Sequence, residues 1–92
     1  MINPLLAEGL ARYLDHGIPT GSFLQAVLSN DLFDAFQRAD HENQHNMLGV
    51  VQYIYDNLPI GAYGSPGSYT EWIKMDPGER QEIVGHFKSS RA

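Results

Sequence analysis

Between His16 and Leu32 the chain reads H-G-I-P-T-G-S-F-L-Q-A-V-L-S-N-D-L, and these residues confine the helices around them to a few turns. Gly17 can adopt the left-handed conformation that ends a helix, and Pro19 fixes the next φ. Thr20 or Ser22 can then cap a new helix whose first amides point outward. Ser29, Asn30 and Asp31 form a second corner before another start. Corners of this kind hold an anion or the edge of a nucleotide, or they do no more than turn the chain.

The rest of the sequence follows the same punctuation. Asn3-Pro4 is a helix entry, and Leu6, Leu10, Tyr13 and Leu14 recur at helical spacing, which predicts a helix from Pro4 to His16. A second is expected from Gly21 to Leu28 with Phe23, Leu24, Val27 and Leu28 inward. A third should span Asp31 to Ala39 with Leu32, Ala35 and Phe36 inward. Asp40 caps what reads as the longest helix, His41 to Asn57, its inward stripe being Met47 or Leu48, Val51, Ile54 and Leu58; Pro59 ends it. Pro59 to Ser68 is rich in glycine and proline and predicts an ordered loop or a lid around Tyr63. Ser68 or Thr70 should open a short helix carrying Trp72 and Ile73. Asp76-Pro77 opens the last, with Ile83, Val84 and Phe87 inward and a frayed tail from Ser89. With no alternating pattern long enough for a strand, the fold class is all-α: a compact bundle of five or six short helices in one domain, residues 1–92.

Ninety-two residues bury only about 60–65 % of the unfolded surface, so a monomer is marginal and self-association is expected. There is no cysteine to staple the core or bind metal, and no apolar run of signal-peptide or membrane-spanning length, which reads as a soluble intracellular protein. Eleven acids against six bases give a net charge of −5, which disfavours duplex DNA. A small phosphorylated ligand needs only a few local donors and stays possible.

Catalytic patterns are sparse. His41-Glu42-Asn43-Gln44-His45 spells H-E-x-x-H, which on a helix can bind zinc, but its intervening positions are polar, it sits in a first helical turn, and no third ligand follows at the required spacing. Zinc hydrolysis is therefore a remote alternative. No serine stands on a strand-to-helix elbow, and the paired acids Asp31/Asp34 and Asp40/Glu42 fall at helix starts, where they stabilise the dipole. The expectation is a protein without enzymatic activity, metal or cofactor.

The constellation that remains suits a nucleotide. Tyr13 lies one turn before the Gly17–Gly21 corner, Asn30 and Asp31 occupy the next corner, and Tyr63, Gly64 and Ser65 form an aromatic and polar loop. Aromatic rings stack on bases, Asn and Asp read base edges or ribose hydroxyls, and amides from Thr20 to Phe23 can meet phosphate. Structural roles compete for each: Tyr13 in the core, Thr20 and Asn30 as caps, Tyr63 as a surface plug.

The string from Gly17 to Leu32, with A-D-H-E-N at Ala39 to Asn43 and G-S-P at Gly64 to Pro66 ahead of Trp72, resembles a group of small phage and prophage proteins that includes the anti-CBASS sponges. The resemblance spans most of residues 10–72. It implies a non-enzymatic protein of the host cytoplasm that sequesters cyclic di- or trinucleotide second messengers, with pockets between the protomers of a homo-oligomer, typically a hexamer. The base-stacking tyrosine of the first helix would correspond to Tyr13. A basic residue that meets phosphate in some members falls near Leu28 or Ser29, where this chain has none; Arg12, Arg38 and Lys74 are the substitutes on offer. The expected ligand-binding set is Arg12, Tyr13, Pro19, Thr20, Gly21, Ser22, Ser29, Asn30, Asp31, Tyr63, Gly64 and Ser65. The competing expectation is an acidic adaptor that blocks a host defence complex through its helical faces.

Overall fold

The computed structural model describes residues 2–90, which form seven α-helices and one 3-10 turn with no strand among them. The helices are α1 Pro4–His16, α2 Ser22–Leu28, α3 Leu32–Arg38, α4 His41–His45, α5 Met47–Asn57, α6 Pro66–Lys74 and α7 Pro77–Ser90; the 3-10 turn is Ile60–Ala62. The count exceeds expectation because the helix foreseen from His41 to Asn57 breaks at Asn46. That residue leaves helical geometry (φ −108°, ψ 24°), and the absence of a side chain on Gly49 leaves room for the Asn46 amide to fold over the next turn. Short polar side chains compete in this way with the helical ladder.

The first corner closes as foreseen. Asn3 Oδ1 accepts from the Leu5 amide at 2.8 Å, and Gly17 ends α1 at φ 65°, its amide donating to Tyr13 at 2.9 Å. Gly17 has a second reason to be glycine: a Cβ there would collide with the Arg80 guanidinium. Capping of α2 departs from expectation. Its N-cap is Gly21 and no side chain caps it, because Thr20 turns inward, its amide donating to Tyr69 Oη at 2.9 Å. At the second corner Asn30 takes the left-handed conformation (φ 61°), tolerated well by asparagine, and Asp31 Oδ1 caps α3 through the Asp34 amide at 3.2 Å.

Buried side chains form one contiguous cluster centred on Leu10, Tyr13, Leu28, Val50 and Trp72. Trp72 Nε1 donates to the Tyr13 carbonyl at 2.9 Å, and the Tyr13 ring stacks on Tyr69 with centroids 5.3 Å apart. Arg80 is the one charged side chain buried with them among the described residues. No carboxylate meets it: Nε and Nη2 donate to the carbonyl of Trp72, and Nη2 also reaches those of Ile73 (3.2 Å) and Met75 (2.8 Å). These are carbonyls at the end of α6, where a helix lacks its own donors and carries partial negative charge.

The inward stripes were only partly right. Ala35, Ile54, Leu58 and Val84 are buried, as is Val50, which the expected stripe left out, but Leu32, Phe36, Leu48, Val51 and Ile83 are exposed, and Leu6, Val27, Met47 and Phe87 are half-buried. Helix α3 has barely two turns and fills its place in the core with Ala35 alone. The helix break at Asn46 leaves Val50 and Ile54 as the inward pair of α5. The last helix runs through Ser90, and the final two positions of the tail expected to fray lie outside the described residues.

Candidate functional site: an apolar slot and a two-arginine cleft

Two segments singled out in the sequence, more than thirty residues apart, meet on one pocket. The corner residues Asn30 and Asp31 and the loop residues Tyr63 and Gly64 rim a cavity of about 250 Å3 between α3, α5 and the 3-10 turn. Its apolar wall comes from Val27, Ala35, Met47, Val51 and Ile54, and Tyr55 stands at its edge. The junction is fixed by backbone: Gly64, at φ 119°, donates its amide to Leu28 at 2.8 Å. The end of the same turn is held a second time, since Tyr13 Oη donates to the Ala62 carbonyl at 2.6 Å.

The chemistry of the slot is selective. A planar apolar group can enter beside Tyr55 and Tyr63 and find acceptors on Asn30 and Asp31, whereas the Asp31 carboxylate opposes a phosphate at the same rim. Its volume lies below the about 300–1,000 Å3 of ordinary small-molecule pockets. There is room for one base and not for a whole dinucleotide.

A second group of foreseen residues lies elsewhere. Arg12, Pro19, Thr20, Gly21 and Ser22 line a cleft of about 410 Å3 together with Arg38 and Asn43. A third depression, of about 270 Å3, includes Ser22, Ser29, Asp31 and Arg38, and so shares residues with both the cleft and the slot. The three make one band along α2 and α3.

Two of the expected residues have structural roles of their own. Tyr13 is 0 % exposed, its ring against Tyr69 and its hydroxyl spent on Ala62; burial and the neighbouring Tyr69 push its phenol above the usual tyrosine range. It serves the core, and the expected role in stacking on a base is corrected accordingly. Ser65 is the N-cap of α6, its Oγ accepting from the Ser68 amide at 3.0 Å ahead of Pro66 at the first helical position. Capping with Pro at the next position places the start of that helix earlier than the Ser68 or Thr70 foreseen.

No family model matches the chain, and no curated protein or solved structure gives a significant match. His41 and His45 share a face of α4 with ring centroids 5.7 Å apart, and no group of three potential metal ligands occurs among the described residues. No helix among them is long and apolar enough to cross a membrane.

Tyr55, Met47 and Val27 were not foreseen as pocket residues. A usable signal existed for one: Leu48, Val51 and Tyr55 fall at helical spacing, so a helix facing the core with Val50 and Ile54 must turn that other row outward.

Proposed function

We propose that this protein binds a cyclic di- or trinucleotide and holds it without chemical change, sequestering a second messenger in the cytoplasm of a phage-infected host. The observation that carries this reading is the meeting of Asn30 and Asp31 with Tyr63 and Gly64 around one apolar slot, locked by the 2.8 Å bond from Gly64 to Leu28. The slot suits a base and lacks room for the whole ligand, so the reading includes a second copy of the chain as the opposite wall. A surface for that copy begins at the slot itself. Leu32 (63 % exposed), Phe33 (87 %), Phe36 (50 %), Leu48 (79 %), Val51 (46 %) and Tyr55 (70 %) present the equivalent of about four whole side chains to solvent. That is on the order of 700 Å2, close to the roughly 800 Å2 each partner gives to a standard interface. Since Tyr13 is buried, base stacking falls to Tyr63 or Tyr55, which departs from the family pattern.

Calorimetric titration with cyclic di- and trinucleotides tests the proposal. Binding is expected, weakened about 5- to 150-fold by Tyr63→Ala, the range that follows from about 1–3 kcal/mol per stacked base. Ligand recovered from heat-denatured complex should be intact. Silence across the panel, or recovery of linear product, overturns the reading. Silence would favour the protein-binding alternative, for which the exposure of Phe33 and Leu48 is the specific support.

A further inference from the structure

We infer that the cleft between α1 and α3 is an anion site for a phosphodiester or pyrophosphate group, with Arg12 and Arg38 as its two cations. In a chain with six bases against eleven acids, two guanidinium groups border one cavity of about 410 Å3. Arg12 is exposed and its guanidinium has no hydrogen-bond or ion-pair partner among the described residues, so its whole donor fork is free. Arg38 is different: Asp34 grips its Nε with both carboxylate oxygens, at 3.0 and 2.9 Å. That grip fixes the plane of the guanidinium and leaves its two terminal nitrogens as donors. One cation is preset, the other adaptable, and guanidinium groups match the paired oxygens of a phosphate.

Asp40 is the one acid in the cleft's lining, with Oδ1 engaged by the Asn43 amide at 2.8 Å, while Asp34 borders the neighbouring depression. With Asp34 paired to Arg38 and Asp40 in the lining, two carboxylates balance the two guanidinium groups, so the attraction for an anion rests on the Arg12 fork, which no carboxylate meets, and on the free terminal nitrogens of Arg38. Ser22 adds a hydroxyl group to the same lining, whereas that of Thr20 is engaged by the Gly21 carbonyl and Tyr69 Oη, each at 3.2 Å. The inference goes beyond the nucleotide reading: it supplies the cation that the apolar slot lacks, at the far end of a band joined through Ser22, Arg38 and Asp31.

The test uses inorganic pyrophosphate, which has no base and so cannot report on the slot. In amide-resolved nuclear magnetic resonance at constant ionic strength, pyrophosphate should give saturable shifts at Gly21 and Ser22. Arg12→Gln and Arg38→Gln should each weaken the apparent affinity about tenfold or more, and Lys74→Gln should leave it unchanged. Unshifted amides overturn the proposal, as do shifts that survive in the double Arg12→Gln/Arg38→Gln variant or fall equally with Lys74→Gln. Saturable pyrophosphate binding beside a silent cyclic-nucleotide panel would keep the cleft and remove the sequestration reading; the reverse pattern would do the opposite.

Discussion

Replacing Tyr13 by phenylalanine separates a core tyrosine from a ligand-facing one. The ring and its stack on Tyr69 are retained, so the change is confined to one hydroxyl and its 2.6 Å bond to a carbonyl in the interior. Leaving that carbonyl without its donor costs about 1–2 kcal/mol, which for a domain of this size lowers Tm by about 4–16 °C. Trp72, the single tryptophan and fully buried, reports urea unfolding by fluorescence. The pH dependence adds a second, independent signature. The folded phenol titrates above its unfolded value of about 10. Its contribution is therefore complete below pH about 10 and lost as the pH climbs toward the folded value, at up to about 1.4 kcal/mol per unit. Phenylalanine cannot lose it. The gap between wild type and Tyr13→Phe should thus be widest near pH 8 and shrink by roughly 1 kcal/mol by pH 11. A variant as stable as wild type at pH 8, or a gap that stays constant into alkali, would refute the assignment of Tyr13 to a buried, hydrogen-bonded place.

Other perturbations address the remaining features. Arg80→Met removes donors from the carbonyls at the end of α6 and should cost about 2–4 kcal/mol in urea unfolding; a neutral outcome would mean that water replaces the guanidinium without loss. Ser65→Ala should cost about 1 kcal/mol as a lost cap and leave ligand affinity unchanged, whereas an affinity loss without a stability loss would return Ser65 to the site. Phe33→Asp should shift light-scattering mass toward the monomer with little effect on unfolding, Phe33 being 87 % exposed; an unchanged mass would exclude this face from assembly.

Much of the fold was legible because its helix ends are local events. Asn3-Pro4, Gly17, Asp31, Asp40 and Pro59 each act through their own backbone or a neighbour a few residues away, and each was placed from its residue type. What failed depended on distant partners. Thr20 was read as a cap because nothing nearby betrays Tyr69, forty-nine residues on, as the group that takes its amide. Tyr13 likewise was offered to a ligand because its burial rests on Ala62, Tyr69 and Trp72, all from the other half of the chain. The break at Asn46 needed the relation to Gly49, a packing fact with no signature in hydropathy. The candidate site divides the same way. Its two rim segments were visible as corners, but which corners share a pocket is a property of the assembled core, and the division of Arg12 from Asn30 into separate cavities could not be read from spacing.

Arg80 has one more consequence, for the order in which the molecule can be completed. Its guanidinium joins the end of α6 to Gly17 at the end of α1, and Trp72, the largest fully buried side chain, reaches back fifty-nine residues to Tyr13. Both closing pieces belong to the last quarter of the chain. During synthesis, the residues ahead of Trp72 emerge with its socket empty, so helical segments can form but their common interior cannot. The common interior then closes only once Trp72 and Arg80 have been added, and a chain truncated ahead of Trp72 should remain a set of fluctuating helices with apolar faces open to chaperones and proteases.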